Sequence, residues 1–243
     1  MRLTTAEGDG DKPRVLIINP NSITGFTETM RQNLQSNEVY LDFYTAPDTV
    51  PHGLNGSEDC AISSAGCLAE LKPVLDRWDA FVVACFSAHP LVPVLREVTS
   101  SPVISILESP LLLGSNLGGR VGIITTSRRW ELLLSRDVAA VGLASLNAAG
   151  VVSSGMKTSE LHDLPIEEVR RALGEVSRDR LVKERQADVI VLGCAGMAGL
   201  EDAISQACQG VVVLDPVKCG LEMATSLVRL KVKTSKIGIY GAI

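Results

Sequence analysis

Two cysteines of the 243-residue chain stand at positions where a thiol could transfer protons. Cys85 ends the apolar run at residues 80–85 and Cys194 ends the run at residues 188–194, and both runs are typical of buried parallel strands. Each cysteine is followed by a predicted loop and helix, whose first amides and dipole would favour a thiolate. A thiol with a tunable pKa suits an acid–base role. The other cysteines are expected to be small buried packing residues: Cys60, Cys67, Cys208 and Cys219.

Three pairs of apolar runs repeat along the chain in the same order. The run RVLIIN at 14–19 resembles RVGIIT at 120–125, DAFVVAC at 79–85 resembles DVIVLGC at 188–194, and PVISILE at 102–108 resembles GVVVLD at 210–215. The offsets are about 106 to 109 positions, and each run ends in a polar residue or a thiol. We interpret the pattern as a duplication that places the two cysteines at equivalent positions.

Apolar strand-like runs alternate with helical patterns along the chain, which predicts an α/β fold. The stronger strand predictions are 14–19, 80–85, 102–107, 121–125, 188–194 and 211–215, and the weaker ones are 39–44 and 151–154. Helices are predicted at 22–35, 58–77, 128–140, 165–185, 197–207 and 216–230. We expect two similar α/β lobes with parallel sheets related by pseudo-twofold symmetry. Residues 1–13 are expected to be a flexible tail, 14–115 the first lobe and 116–243 the second, with exchange of terminal segments allowed.

Ligands of open parallel sheets bind beyond the carboxyl ends of the strands. Asn19, Cys85, Thr125 and Cys194 all lie at such ends, so we expect them to line a cleft between the lobes, with one cysteine on each wall. Racemisation at a carbon acid needs a base on one face and an acid on the other, with the roles exchanged in reverse. One thiolate and one thiol meet that need without a metal, pyridoxal phosphate or a flavin.

Other polar residues leave alternatives open. His89, four residues after Cys85, could tune the thiolate, although capping or packing is the favoured interpretation. Glu108 and Asp215 end equivalent strands and could form a carboxylate pair, but helix capping is favoured for both. At Thr125 a ligand role is favoured over capping the next helix.

Two loops have distinct expected roles. The glycine-rich segment at 114–119 precedes a strand instead of linking a strand to a helix, so it is interpreted as the crossing between the halves and not as a nucleotide loop. The loop at 47–57, with Pro51 and Gly53, is a candidate cover for the cleft that would set specificity.

Composition narrows the range of partners. The chain is 46% hydrophobic but only 4% aromatic, so the core must be aliphatic, and its net charge of −5 with no basic stripe argues against nucleic acid. No apolar run reaches the roughly 18 residues that a membrane helix needs, and the N-terminus lacks a signal-like apolar core, which predicts a cytoplasmic protein. Three histidines and no Cys-x-x-Cys pair argue against a zinc site.

Three short motifs resemble those of a known family. They are Asn-Pro-Asn at 19–21, Ala-Cys-Phe-Ser at 84–87 and Gly-Cys-Ala-Gly-Met at 193–197. They are similar to the hydantoin/allantoin racemase family of the aspartate/glutamate/hydantoin racemase superfamily, and the resemblance runs from about 14 to 230. It implies that Cys85 and Cys194 are the two bases, that no cofactor is used, and that the protein is a homo-oligomer acting on a small molecule. It also implies substrate binding by Asn19, Phe86, Ser87, Thr125, Thr126, Ala195 and Gly196.

The chain departs from that resemblance in two places. Amino-acid racemases of the superfamily carry an acidic residue after the first strand and Thr-His after the second cysteine, whereas this chain has Asn19 and Ala195-Gly196. A free amino acid would need such help, so the neutral residues favour a 5-substituted hydantoin ring, allantoin among them. The similar bacterial proteins also have Gly and Asp-Pro after the first cysteine, where this chain has Ser-Ala-His-Pro at 87–90.

Other functions remain alternatives. The runner-up is an aspartate/glutamate-type amino-acid racemase, and a further one is an isomerase or decarboxylase that uses one thiol. A non-catalytic two-lobed binding protein of the periplasmic-receptor type would share the cleft. The paired thiols argue against both the one-thiol enzyme and the receptor.

Overall fold

The computed structural model describes residues 1–6, 12–157 and 160–241, except for the side chain of His162. The strands are β1 Arg2–Thr4, β2 Arg14–Asn19, β3 Tyr40–Thr45, β4 Ala80–Val83, β5 Val103–Ser105, β6 Val121–Thr125, β7 Gly150–Ser153, β8 Val189–Leu192 and β9 Val212–Leu214. The α-helices are α1 Thr24–Asn33, α2 Ser57–Leu71, α3 Leu91–Val98, α4 Glu108–Gly114, α5 Arg128–Ala140, α6 Glu160–Asp163, α7 Ile166–Val176, α8 Glu201–Ala207 and α9 Pro216–Arg229. Short 3₁₀ segments lie at Lys72–Arg77, Ala144–Leu146 and Ala195–Met197, and a π-helix follows α7 at Ser177–Lys183.

The chain divides into two compact units with one sheet each. The first unit contains Met1–Cys85, His89–Ile106 and Gly220–Ile243, and the second contains Phe86–Ala88 and Leu107–Cys219. The lobes are expected at 14–115 and 116–243, whereas residues 107–115 belong to the second unit and the segment from Gly220 onward belongs to the first. The prediction allowed such an exchange of a terminal segment.

The four parallel strands of each sheet share one order, which supports the duplication. The strand order is β1-β3-β2-β4-β5 in the first unit and β7-β6-β8-β9 in the second. All neighbours are parallel except β1 and β3. The strands with repeated sequences, β2 with β6, β4 with β8 and β5 with β9, occupy equivalent places in the two orders. The prediction of an α/β protein with parallel sheets is therefore confirmed.

Aliphatic side chains make up most of the core of each unit, and the first unit also buries the aromatic residues Tyr44, Trp78 and Phe81. In the first unit Leu16 of β2 packs in one buried cluster with Leu71 of α2 and Leu95 of α3. In the second unit Ile190 of β8 packs in one cluster with Leu173 of α7. The buried strands thus gain stability from the removal of apolar surface from water on contact with helices. Among the described residues, no helix is long and apolar enough to cross a membrane.

The first residues of the chain correct one prediction. Residues 1–13 are expected to be flexible, and that is wrong for Arg2–Thr4, which pairs antiparallel with β3 as an edge strand. The edge of β3 offers backbone donors and acceptors that any extended segment can satisfy, so a polar composition does not prevent strand formation. Residues 7–11 of the expected tail lie outside the described residues.

A buried carboxylate joins several parts of the first unit. Asp42 of β3 is 1% exposed and accepts hydrogen bonds from Arg14 Nε at 2.9 Å, Trp78 Nε1 at 2.7 Å and the Ala6 amide at 2.8 Å. Burial alone would raise the pKa of Asp42, but the hydrogen bonds from Arg14, Ala6 and Trp78 outweigh it and lower that pKa. Asp42 is therefore a charged acceptor that needs all its donors.

Removing one of those donors tests the contribution of this buried contact. We expect Trp78→Phe to lower the free energy of unfolding by about 1.5–3 kcal/mol, because it deletes a hydrogen bond to a buried charge while keeping an aromatic ring. Chemical denaturation measures the change. Trp130→Phe is the matched control, since among the described residues the indole N–H of Trp130 has no hydrogen-bond partner. An equal loss in both variants would contradict the interpretation.

Candidate active site

Cys85 lies in the loop between β4 and α3. The parallel pairing of β4 with β2 ends at Ile18 and Val83, and the Ala84 amide makes one further hydrogen bond to the Ile18 carbonyl at 2.8 Å. The strand predicted to reach Cys85 is therefore two residues shorter, and Cys85 is half-buried beyond the carboxyl end of the sheet. Phe86 and Ser87, which follow it, are both buried.

Asn19 ends β2 and organises the turn into α1. Its Nδ2 donates to the Ile23 carbonyl at 2.9 Å and to Thr27 Oγ1 at 3.0 Å, and its Oδ1 accepts from the Asn21 amide at 3.2 Å. Asn21 Oδ1 in turn accepts from the Ile23 amide at 2.9 Å. The Asn-Pro-Asn motif thus supplies the side chains that satisfy this loop. Both amide hydrogens of Asn19 are spent, so only its oxygen retains capacity for a ligand.

His89 is 1% exposed and lies two residues before the start of α3, whose N-cap residue is Pro90. Its Nδ1 accepts from the amide of Leu91, the first residue of α3, at 3.2 Å, which agrees with the interpretation that His89 caps or packs. Burial lowers the pKa of His89 to about 4, which keeps the ring neutral at neutral pH. Because Nδ1 is an acceptor, the proton is assigned to Nε2, which has no hydrogen-bond partner within the described part of the chain.

The neutral His89 should make stability depend on pH. Its folded-state pKa of about 4 lies below the unfolded value of about 6.5, so the unfolded state binds more protons as the pH falls between these values. We expect this residue to remove about 2 kcal/mol of unfolding free energy between pH 7 and pH 5. Denaturation of the wild type and of His89→Asn, whose Oδ1 can replace Nδ1 as acceptor, measures the difference in slope. A wild-type slope in His89→Asn would contradict the expectation.

In the second unit, β8 leads to Cys194 through a residue that must be glycine. The Gly193 amide donates to the Ile124 carbonyl at 2.7 Å, which continues the contact between β8 and β6. A Cβ at Gly193 would lie 2.7 Å from that carbonyl oxygen and 2.7 Å from Ile123 Cγ2. Thr125 Oγ1 donates to the Gly193 carbonyl at 3.3 Å. The backbone before Cys194 is thus held closely against β6.

Cys194 caps a short turn instead of a helix. Its backbone is extended, and the 3₁₀ turn Ala195–Met197 follows, while α8 begins only at Glu201. The Gly196 amide donates to Cys194 Sγ at 3.3 Å. The predicted amides are therefore present, but burial raises the pKa of Cys194 by more than the amides of Gly196 and Met197 lower it. The amides thus favour the thiolate as expected, but they belong to a 3₁₀ turn and their effect on the pKa is smaller than that of burial.

Two threonines lie at the end of β6, and their hydroxyl groups differ in hydrogen bonding. Thr125 Oγ1 is used on the Gly193 carbonyl. Thr126 is 2% exposed, its carbonyl accepts from the Gly155 amide at 2.9 Å, and its hydroxyl has no partner among the described residues. Ser127, the N-cap of α5, makes no side-chain cap. Of the two threonines, Thr126 is therefore the one whose hydroxyl is not used in a hydrogen bond within the described part of the chain.

Asp215 and Glu108 begin helices. Asp215 Oδ1 accepts from the Val217 amide at 2.7 Å and from the Lys218 amide at 3.0 Å, so its predicted capping role at α9 is confirmed. Burial raises the pKa of Asp215. Glu108 is the first residue of α4, where a negative charge suits the helix dipole.

One residue near the candidate site is not apparent from the sequence motifs. Asp137 of α5 is buried, and its Oδ2 accepts from the Ala88 amide at 3.1 Å, three residues after Cys85. The sequence did carry a signal for Asp137, because an acidic residue in the last turn of a predicted helix opposes the helix dipole and so indicates a role other than stabilising that helix.

The loop at 47–57 contacts the turn after β2, where the Ser22 amide donates to the Pro51 carbonyl at 3.4 Å.

Each unit contains one cysteine at the same place in its sheet, just after an equivalent strand. Cys85 lies beyond the carboxyl end of β4, which pairs with β2. Cys194 lies beyond the carboxyl end of β8, which pairs with β6, the strand equivalent to β2. All six cysteines are in the described part of the chain, and they form no disulfide. Half-buried thiols at such positions can take up or deliver protons.

Several known proteins resemble this chain in sequence and in fold. A sequence profile of the family described as Asp/Glu/Hydantoin racemase matches residues 15–224. An uncharacterized protein of Schizosaccharomyces pombe is 36% identical, over 95% of this chain and 98% of its own length. A hydantoin racemase of a Pseudomonas strain is 31% identical, over 93% of this chain and 90% of its own. The crystal structure of allantoin racemase from Pseudomonas fluorescens superimposes with a TM-score of 0.82 at 27% identity, covering 95% of this chain and 97% of that one.

Proposed function

The chain belongs to the Asp/Glu/Hydantoin racemase family, and we propose that it is a cofactor-independent racemase of 5-substituted hydantoins, including allantoin. Cys85 and Cys194 act as the paired acid and base. The observation that carries the proposal is the recurrence of a half-buried thiol after β4 and after β8, the equivalent strands of two like sheets. Two thiols of the same kind suit a reaction that must run equally well in both directions.

The proposed steps balance in protons and electrons. In one direction the Cys85 thiolate removes the proton from the ring stereocentre, and the electron pair delocalises into the adjacent ring carbonyl. The Cys194 thiol then delivers its proton to the opposite face of the same carbon. The protein is left with a Cys85 thiol and a Cys194 thiolate, which is the starting state for the reverse direction. The raised pKa of Cys194 supports its role as the acid of the resting protein.

Residues that follow the equivalent strands in each unit are uncharged, which supports a neutral ring over a zwitterion as the substrate. Asn19 and Ala195 are uncharged, and His89 is neutral at pH 7 because of its lowered pKa. We propose that the ring is bound by the Thr126 hydroxyl and by the oxygen of Asn19. Phe86, Ser87, Ala195 and Gly196 would contribute apolar contact and backbone groups, with Thr125 holding the chain before Cys194.

Proton exchange by NMR tests the proposal. Enantiopure allantoin and a 5-alkyl hydantoin are incubated with the protein in heavy water, beside aspartate and glutamate as the amino-acid arm. We expect deuterium at the ring stereocentre, with loss of optical rotation and no other chemical change, at a rate above that without protein. Exchange of the amino acids alone would replace this proposal with an amino-acid racemase. The absence of exchange in every arm would leave the two-lobed binding protein.

The resemblance also implies self-association, and we propose a homo-oligomer. Light scattering on the purified chain measures its mass directly, and a monomer at every concentration would contradict this part of the proposal.

A further inference from the structure

We propose that Asp137 is a positioning residue that fixes the main chain immediately after Cys85. The inference rests on the proposed function in assigning Cys85 a chemical role. It goes beyond that function by adding a carboxylate on α5 that none of the motifs contains.

The three residues after Cys85 belong to a different unit from the residues on either side of them. Cys85 and His89 belong to the first unit, while Phe86–Ala88 belongs to the second. Within the second unit, Asp137 Oδ2 accepts the Ala88 amide at 3.1 Å. This hydrogen bond therefore holds the last residue of the segment Phe86–Ala88, whose first residue is bonded to Cys85.

Asp137 is poorly placed to stabilise its own helix. It lies in the last turn of α5, where a negative charge opposes the helix dipole. It is also 6% exposed, so its charge is largely removed from water, and a buried carboxylate needs partners. Those partners are the Ala88 amide and the guanidinium of Arg136, whose Nη2 lies 2.8 Å from Asp137 Oδ1. The unfavourable position in α5 is thus offset by contacts that order the segment after Cys85.

A second carboxylate on the same helix provides a matched comparison. Glu131 Oε2 accepts from the Ser153 amide at 3.0 Å and from Ser153 Oγ at 2.9 Å, so it too binds a backbone N–H outside α5. Ser153 lies in β7, away in sequence from either candidate catalytic cysteine. Loss of Glu131 therefore reproduces the loss of a helix-to-backbone anchor without touching the segment at Phe86–Ala88.

The test combines thiol reactivity with kinetics in Asp137→Ala, Asp137→Asn and Glu131→Ala. Alkylation of the intact protein by iodoacetamide is followed at each cysteine by peptide mass spectrometry. In Asp137→Ala we expect the rate at Cys85 to change at least fivefold, with the rate at Cys194 within twofold of wild type. Asp137→Asn, whose Oδ1 still accepts the Ala88 amide, should remain within twofold at both cysteines. Glu131→Ala should leave the Cys85 rate unchanged.

The kinetic arm asks whether positioning matters for turnover. We expect Asp137→Ala to lower kcat/KM for the ring substrate at least tenfold, with a rise in KM from the loosened Ser87 segment, and Asp137→Asn to restore most of it. An unchanged Cys85 alkylation rate in Asp137→Ala, or an equal change in Glu131→Ala, would overturn the inference. If the wild type turns over no hydantoin, the proposed function fails, while the alkylation result still decides the role of Asp137.

Discussion

Cys85→Ser and Cys194→Ser are each expected to lower kcat for racemisation by about 10³-fold. A positioned acid or base typically contributes 10²–10⁴-fold to such a reaction, and a serine hydroxyl is too weak an acid to supply either role near neutral pH. Both faces of the carbon need a proton carrier, so neither thiol can compensate for loss of the other. Polarimetry with enantiopure ring substrate measures the residual rate. Cys60→Ser, at a buried cysteine of α2, should keep the wild-type rate.

The single variants should also separate the two half-reactions. The remaining thiol can still remove and return a proton on its own face, so each variant is expected to exchange deuterium into one enantiomer with retention of configuration. Cys85→Ser and Cys194→Ser should differ in which enantiomer they label. Retention of more than a tenth of wild-type racemisation in either variant would contradict a two-thiol mechanism. Loss of exchange into both enantiomers in one variant would make that cysteine the sole base.

The ends of a strand could be predicted from the sequence where the apolar run stops at the same residue as the hydrogen-bonded pairing with the neighbouring strand. The bounds of β2 and β6 match the predicted 14–19 and 121–125, because each apolar run is bounded by residues that leave the sheet. At β4 and β8 the apolar run continues to the cysteine, but regular pairing stops at Val83 and Leu192. Strand length depends on where the neighbouring strand ends, which is a property of the sheet and not of the local sequence.

The helices show a similar limit. The predicted helix at 58–77 is an α-helix only to Leu71, and a 3₁₀ segment containing Pro73 follows, since proline lacks an N–H and clashes with the preceding turn. Helices α3 and α4 are absent from the predictions because both are short and carry an internal proline, at Pro93 and Pro110. Short elements such as these are defined by tertiary packing more than by periodicity.

At the candidate site, the sequence predicts which residues to consider but not their hydrogen-bond partners or the direction of their pKa shifts. The repeat identifies Cys85 and Cys194 as equivalent, yet the raised pKa of Cys194 comes from burial by residues distant in sequence. The spent amide hydrogens of Asn19 depend on Thr27 of the following helix. The contact of Asp137 with Ala88 joins residues 49 positions apart. Local sequence cannot reveal such partners, because folding selects them.

Gly193→Ala is expected to have the second large effect, on both stability and turnover. The new Cβ would lie 2.7 Å from the Ile124 carbonyl oxygen and 3.1 Å from Thr125 Cβ. A backbone carbonyl in a β-ladder cannot rotate away, so β8 must separate from β6 at this point. We expect the free energy of unfolding to fall by about 3 kcal/mol, at the upper end for overpacking. Because the shift is adjacent to Cys194, kcat should fall by about 10²-fold, the cost of misplacing a reacting group by about 1 Å.

Gly25→Ala separates this steric effect from the general consequence of replacing glycine. Gly25 lies within α1, and a Cβ there would meet only Ile23 Cγ2, at 3.8 Å. Gly25 lies in the first turn of α1, where alanine gains less than the about 0.8–1 kcal/mol of a helix interior, so Gly25→Ala should not lower the free energy of unfolding and should leave kcat unchanged. Urea denaturation and racemisation rates are measured on both variants. If Gly193→Ala were as stable and active as the wild type, close contact between the β8 extension and β6 would not be what fixes the chain before Cys194.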